Sequence, residues 1–401
     1  MSRQHDGVRF GANYTPSRHW WHVWLDFDTP GVTDGIRRDL DAIAGLGLDH
    51  VRVFASWPVF QPNRGVVRPR AVAQLVELVR LAAAAGLDVS VDALQGHLSS
   101  FDFYPSWTLT WHERNVFTDP AVVDAQAALV GTLAGALRAE PNYLGLNLGN
   151  EPNNLVAHQP VTAAQVDAWL DRLLAAGTAA DPAHPVTHCA YDAAWYTEDH
   201  PFTPGASATK GAMTCVHPWV FSEDCARRYG PRSVQVEHLA EYVVELSRAY
   251  ATDPGRMIWV QELGAPAPHV PAADAPRFAE RTLANVLTCP GLWGVTWWCS
   301  HDLDERLLDF PELEYTLGLL RTDNTVKPIG AAVRGTVAAA PTTAVPQRTT
   351  ALVLDADGGG RGRSAAAPGG PFFEAWMARA AAGERPAIVL GNPVAGGSAA
   401  T

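Results

Sequence analysis

The chain is 401 residues long, room for one large domain or for a barrel of ~250 residues with additions. With 47% hydrophobic and 18% charged residues it is globular rather than disordered. A net charge of −12, not gathered in one block, argues against nucleic acid and anionic membranes as partners.

The opening MSRQHDGVRF has no apolar h-region, and no later run reads as long enough to span a bilayer, so the expected location is the cytoplasm. Val8 to Tyr14 is a short strand that runs into the polar loop TPSRHWW. Thr33 is a good N-cap for a helix with Ile36, Leu40, Ile43 and Leu46 at helical spacing, closed by Gly47. His50 to Ala55 is the second strand, and residues 71–86 form an amphipathic helix through Leu75, Leu78, Val79 and Ala82. Leu87 to Ala93 is the third strand, followed by a long polar and aromatic loop from Gln95 to Asn115. Asp119-Pro120 opens a helix with an N-cap and a proline at the first position, running to about Ala139.

Asn142 to Leu148 is the fourth strand, its aliphatic residues and glycines suited to burial on both faces. A helix over 163–179 precedes the fifth strand, His184 to Tyr191, and the Pro/Gly-rich interval 192–211 reads as loop with a short turn. Ala212 to His217 is the sixth strand, Ser233 caps a helix over 234–251, and Met257 to Gln261 is the seventh. A helix over 274–288 leads to the eighth strand, Gly294 to Cys299. This alternation favours an α/β chain folded as a closed (β/α)8 TIM barrel, and no G-x-G-x-x-G follows the first strand to support a dinucleotide-binding sheet. The barrel is expected over 1–335. Residues 336–401, an Ala/Gly/Pro-rich linker with the apolar runs 351–355 and 387–391 and a helix over 372–382, are too few for a comfortable core of their own. They read as a small α+β appendage packed on the barrel, with a frayed C-terminus.

Five cysteines (Cys189, Cys215, Cys225, Cys289, Cys299), odd in number and without CxxC spacing, read as reduced and mostly buried thiols. Of the fourteen tryptophans, Trp20, Trp21, Trp57, Trp107, Trp111, Trp195, Trp219, Trp297 and Trp298 lie in or near segments after predicted strands. Flat rings around a pocket mouth suit the apolar faces of a sugar.

The chemistry concentrates at two strand ends. Glu151 follows the fourth strand in GNEPN (149–153), and Glu262 follows the seventh in VQELG (260–264). In a closed barrel both point into one mouth, and two facing carboxylates serve glycoside hydrolysis. A separation of ~5–5.5 Å means retention at the anomeric carbon, and ~6.5–9.5 Å means inversion.

With these two motifs, the Arg52 strand, His217-Pro218-Trp219 and Trp297-Trp298, the chain from Val8 to Asp302 resembles glycoside hydrolase family 5 of clan A. The resemblance implies that Glu151 is the acid/base and Glu262 the nucleophile. It implies that Asn150 holds the sugar 2-hydroxyl, that Arg52 keeps the nucleophile ionised, and that His217 contacts the acid/base side. One of Trp297 and Trp298 would floor the pocket, with Trp298 favoured because alternation allows only one inward. The chain departs from the family pattern twice. Trp219 stands where a tyrosine usually donates to the nucleophile, and the histidine usual after the third strand is represented either by His97, displaced, or by Gln95.

NYTPS (13–17), WPVFQPNRG (57–65) and LQGHLSSFDF (94–103) resemble actinobacterial family members regarded as β-mannosidases. That resemblance implies a retaining exo-β-mannosidase taking a short oligosaccharide, such as mannosyl-β-1,4-N-acetylglucosamine, with no cofactor and no metal. Loops 15–33 and 95–118 are long enough to wall off a pocket. The rivals are an endo-acting mannanase or cellulase, a carbohydrate-binding barrel without catalysis, and a metal-dependent hydrolase. The last is disfavoured because no H-x-H follows the first strand and His97, His217 and His301 lack ligand-like spacing.

Overall fold

Strands buried on both faces must find partners on both edges, and here eight of them do so by closing a ring. The computed structural model describes residues 7–392 apart from 112, 113, 342 and 344, so the expected frayed C-terminus lies outside the described residues. The barrel strands are β1 (Arg9–Asn13), β2 (His50–Ser56), β3 (Asp88–Gln95), β4 (Tyr143–Asn147), β5 (Val186–Thr187), β6 (Thr214–Val216), β7 (Ile258–Val260) and β8 (Leu292–Trp297). They neighbour one another in the order β5-β4-β3-β2-β1-β8-β7-β6, all parallel. A parallel bridge between Cys189 and Cys215 joins the two outer strands and closes the barrel. Registers such as Asn13 opposite Arg52 and Asp92 opposite Asn147 bring polar residues together near the carboxyl ends.

The helices are α1 (Val32–Ala44), α2 (Pro69–Ala84), α3 (Pro120–Leu137), α4 (Ala163–Ala180), α5 (Leu239–Ala249), α6 (Ala275–Val286) and α7 (Pro328–Ala339). Asp119 caps α3 as expected, its side chain accepting from the Ala121 and Val122 amides, and Thr162 and Gln165 form a capping box on α4. Several expectations need correction. The turn into α1 is made by left-handed Gly31, so Thr33 sits inside the helix rather than capping it. The interval 192–211 contains two short helices, Ala193–Tyr196 and Pro204–Thr209. The helix expected over 234–251 breaks at His238, which leaves helical dihedrals (φ −107°, ψ 0°) and binds Glu241 Oε2 through its ring at 2.8 Å. By length and hydropathy α3 does pass as a membrane span, contrary to expectation, but half of it is buried in the protein and Val122, Leu129, Val130, Leu133 and Leu137 pack in the core.

Helix α7 runs across the composition shift at residue 335 and packs on α6 through Ile329 and Val333. Beyond it β9 (Ala351–Asp357) and β10 (Ala387–Asn392) pair in parallel, connected through α8 (Pro371–Ala381). Arg348 pairs with Glu241 and Glu245 of α5, Tyr242 donates to the Ala366 carbonyl at 2.7 Å, and buried Arg363 donates to the carbonyls of Ala194, Thr197 and His200. Trp376 is fully buried against Tyr242, its indole donating to the Pro386 carbonyl. Trp376→Ala should cost about 3–5 kcal/mol in chemical denaturation, the range for emptying a large aromatic site. It should leave turnover at saturating substrate unchanged, because it lies on the outside of the barrel.

Candidate active site

Strand β4 delivers Glu151 through a turn that only its glycine permits. A Cβ on Gly149 would lie 2.3 Å from the Leu94 carbonyl oxygen. Glu151 itself is left-handed (φ 41°, ψ 52°), a conformation that costs a non-glycine residue energy and is concentrated at functional sites. Pro152 then starts a single 3-10 turn, Pro152–Ala157, which sends the chain away. Strand β7 delivers Glu262, and Gly264 behind it lets two walls close in: a Cβ there would be 2.7 Å from the Trp298 carbonyl oxygen and 2.9 Å from the Trp219 ring.

The two carboxylates meet across His217. Its Nδ1 is 2.7 Å from Glu151 Oε1 and 3.4 Å from Glu262 Oε2, and its Nε2 is 3.1 Å from Gln261 Oε1. The facing atoms of Glu151, His217 and Glu262 all lie within 4.8 Å of one another. Such a trio could also hold a cation, but these oxygens already face donors. Arg52 Nη1 and Trp219 Nε1 donate to Glu262 at 2.7 and 3.3 Å, and Asn154 Nδ2 donates to Glu151 at 2.9 Å. The permanent charge of Arg52 would repel a metal ion there.

Arg52 is completely buried and fully engaged. Its Nε and Nη2 hold Asp92 at 2.8 and 2.6 Å, Nη1 also reaches Asn13 Oδ1 at 3.0 Å, and Nη2 reaches Asn150 Oδ1 at 2.7 Å. Asn150 is thereby fixed, its Nδ2 shared with the His97 carbonyl at 3.3 Å. Below them the Cys189 thiol donates to the Gly149 carbonyl and accepts from the Glu151 amide. All five cysteines are free and buried.

Above this floor opens a cavity of about 420 Å³ lined by His97, Asn150, Glu151, Asn154, Tyr191, Trp219, Glu262, Trp298 and Glu314 among others, a size suited to a small ligand. Behind the lining residues Leu98 and Trp298 packs an aromatic cluster assembled from three loops. Trp20 and Trp21 pack with Phe101 and Phe103 of the 97–102 hairpin and with Phe310, and Trp298 meets Trp20 edge-on. On the opposite side the Trp219 ring stacks on Phe221 with centroids 5.0 Å apart.

Of the residues singled out from sequence, Asn150, Glu151, Glu262, His97, Trp219 and Trp298 line the cavity. Arg52 and His217 sit directly beneath it. Gln95 does not line it: buried at the end of β3, it donates its side-chain amide to the His97 carbonyl, so His97 is the residue presented to the cavity. His97 Nδ1 pairs with Asp102 at 2.6 Å. Trp297 faces the barrel core, and Trp298 lines the cavity. The expected ring of tryptophans is narrower than the sequence suggests. Trp195 is buried in the core, Trp57 donates to Gln61 and stacks edge-on with Trp107, and Trp111 lies exposed away from the cavity lining. The sequence reading missed Asp92, Gln261, Asn13, Cys189, Asn154 and Glu314. The run LDVSVDA carries two aspartates, Asp88 at its start and Asp92 near its end, and an acidic residue so far along an apolar strand was the one available sign of Asp92.

The charges set one another. Burial works against a protonated His217, but the neighbouring Glu262, Cys189 and Glu151 outweigh it and push its pKa well above the ordinary value. Glu151 is buried too, yet the His217 hydrogen bond and charge hold its carboxyl below the usual value. Burial raises Glu262, opposed by His217 and helped by Glu151, with Arg52 pulling it back. The three groups therefore titrate as a unit. Behind Trp219, burial pushes Asp192 up to about 7 against the hydrogen bonds from Ser222 and from the Trp219 amide, the latter at 3.2 Å.

Barrel and facing carboxylates together define a glycoside hydrolase, with the carboxylate spacing of retention rather than inversion. No family model matches the chain, and comparison with curated proteins gives no match. Among solved structures, GH5_18 from Streptomyces cattleya in complex with Manβ1-4GlcNAc is 55% identical, with a TM-score of 0.92, covering 96% of this chain and 94% of that one. GH5_18 from Bifidobacterium longum subsp. longum, also in complex with Manβ1-4GlcNAc, is 43% identical with a TM-score of 0.92, covering 96% and 91%. The exo-β-1,4-mannosidase Op5Man5 from an Opitutaceae bacterium shares the fold at 22% identity and a TM-score of 0.80, covering 96% and 70%. The chain belongs to glycoside hydrolase family 5.

Two measurements probe this arrangement. Trp219→Phe removes a hydrogen bond to the ionised form of Glu262, so kcat should fall about tenfold and the acidic limb of the pH–rate profile should move to higher pH. Asp192 has a raised pKa in the fold, so its contribution to stability is present below its ordinary pKa and is lost as pH rises through about 7. Asp192→Asn should therefore flatten part of the fall in Tm between pH 4 and pH 7.

Proposed function

We propose that this enzyme is a retaining exo-β-mannosidase that removes the terminal mannose from Manβ1-4GlcNAc and similar short β-mannosides. The observation that carries the reading is the pair Glu151 and Glu262, with facing atoms within 4.8 Å, in a chain 55% identical to a protein crystallised with that disaccharide. The exo reading is supported by the disaccharide in the complex of the 55% identical protein and by the modest cavity of about 420 Å³.

In the first half-reaction Glu262 attacks the anomeric carbon and forms a mannosyl ester, while Glu151 gives a proton to the departing glycosidic oxygen. In the second, Glu151 takes a proton from a water that attacks the same carbon and releases Glu262 as a carboxylate. The assignment of roles follows the partners. Glu262 is held by Arg52 and Trp219, which stabilise a carboxylate and have no proton to lend at neutral pH. Glu151 sits closer than Glu262 to the His217 Nδ1, at 2.7 Å against 3.4 Å, and that group can lend one. Asn150, with its oxygen taken by Arg52, has only its amide hydrogens to offer, which suits the 2-hydroxyl of the sugar. A cytoplasmic location belongs to the same proposal, supported by the five unpaired, buried thiols.

The test is hydrolysis of p-nitrophenyl β-mannoside beside the β-glucoside and β-galactoside, with proton NMR to follow the anomer first released. β-Mannose should appear first, and the mannoside should be preferred. Glu151→Ala should lose about 10²–10⁴-fold in kcat on substrates with poor leaving groups, and Glu262→Ala at least as much. Inversion, or near wild-type turnover in Glu262→Ala, overturns the mechanism.

A further inference from the structure

Beside Trp298 the cavity carries a carboxylate outside the set proposed for the displacement. Glu314 stands on the short 3-10 turn Glu312–Thr316 in the long loop after β8 and lines the cavity beside Trp298 and Leu313. Its Oε2 accepts from the Trp298 indole at 3.4 Å, and that single contact leaves the other oxygen outside the bond. Across from it is the tip of the 97–102 hairpin. Ser99 and Ser100 both line the cavity, and both take up left-handed backbone (φ 49° and 68°) as the two central residues of the tight hairpin turn. The Ser99 hydroxyl lies close enough to favour the charged form of Glu314, yet it makes no hydrogen bond of good geometry and is shut off from solvent. A buried hydroxyl without a partner is costly unless something polar completes it, and beside it the half-buried Glu314 has acceptor capacity to offer a ligand. Burial lifts Glu314 to about 7, against its Ser99 and Trp298 contacts, so near neutrality it can both accept from and donate to a hydroxyl.

Chemistry says what that something is. In a β-1,4-linked chain the next sugar is attached at O4, so an enzyme confined to chain ends must meet a free 4-hydroxyl on the sugar it removes. Resting on the mannosidase reading above, we propose that Glu314, supported by Ser99, is the specificity-determining residue that binds the 4-hydroxyl of the terminal mannose and so distinguishes a chain end from a chain interior.

The experiment is a cycle between one side chain and one hydroxyl: wild type and Glu314→Ala, each with p-nitrophenyl β-mannoside and its 4-deoxy analogue. Glu314→Gln, which keeps the shape and an oxygen for the Trp298 indole, is run in parallel in case the alanine variant fails to fold. Removing the 4-hydroxyl should lower wild-type kcat/KM roughly 10- to 100-fold, the size of a hydrogen bond to a charged group. Glu314→Ala should lose a similar factor on the intact substrate, mainly through KM, and show less than about threefold further loss with the deoxy sugar, since coupled partners are not additive. Ser99→Ala should give a smaller loss of the same pattern. Equal deoxy penalties in wild type and variants, or a change below about twofold in Glu314→Ala, overturn the inference while leaving the mannosidase reading intact. A wild type that hydrolyses no β-mannoside overturns both.

Discussion

The site stands on one buried guanidinium. Arg52 is out of contact with solvent and binds Asp92, Glu262, Asn13 and Asn150, which lie on or just beyond β3, β7, β1 and β4. Burying such a charge alone costs several kcal/mol, and burying it with two carboxylates is tolerable only if nearly every donor is satisfied in good geometry. Burial disfavours the cation, but Asp92 and Glu262 outweigh that and hold it charged. A lysine could neither fork onto Asp92 nor reach the other partners at once. Because the contacts span the barrel, its register and the position of Glu262 are one structural fact. A slip of β2 by one residue would turn Arg52 to the outside and leave Asp92 without its counter-ion.

What can be read from the sequence divides along the same line. The alternation of strands and helices is local pattern, and it placed all eight barrel strands, although β5 and β6 shrink to two and three residues. Glu151 and Glu262 were visible because a carboxylate at the end of an apolar run is out of place unless used. Asp92 and Asn13, which bind Arg52, and Gln261, which binds His217, were not visible, since they are ordinary residues until closure brings them within 3 Å or so of a charged partner. Helix α7 escaped notice for a different reason. Its buried stripe is only Ile329, Gly330 and Val333 in a run of alanine and glycine, and so little apolar bulk reads as linker. Trp57, Trp107 and Trp195 were drawn into the expected sugar-binding rim because their position after strands says nothing about which way a ring turns.

Two kinds of surface meet in the cavity. The floor is polar and rigid, held by strand ends, while the Trp298 side is backed by an aromatic cluster built from loops far apart in sequence: Trp20 and Trp21, the 97–102 hairpin, and Phe310. Edge-to-face contacts among these rings add about 0.5–1.5 kcal/mol each beyond burial, enough to keep three loops in one arrangement. Trp298 belongs to both surfaces. Its ring joins the aromatic cluster through Trp20 and its indole N–H turns to Glu314, and its backbone amide is anchored on the Leu263 carbonyl at 2.8 Å, one residue from Glu262. Aromatic cluster and reacting carboxylate are thus fixed relative to each other by one residue.

Charge balance accounts for why this buried cluster suits double displacement. Asp92 and Glu262 carry two negative charges, Arg52 and a protonated His217 two positive ones, so the floor is neutral when Glu151 holds a proton. In the displacement proposed above, Glu262 loses its charge as it becomes an ester, and in the same step Glu151 gives up its proton and gains one. The sum does not change. With both glutamates ionised the buried floor would carry an excess negative charge, which low dielectric penalises steeply, and a proton on either glutamate of this jointly titrating set restores neutrality. His217, within 2.7 Å of one carboxylate and 3.4 Å of the other, is the group through which that proton can be shared. Each half-reaction then moves charge from one glutamate to the other across a field that Arg52 and His217 already supply, and little has to reorganise when the transition state is reached.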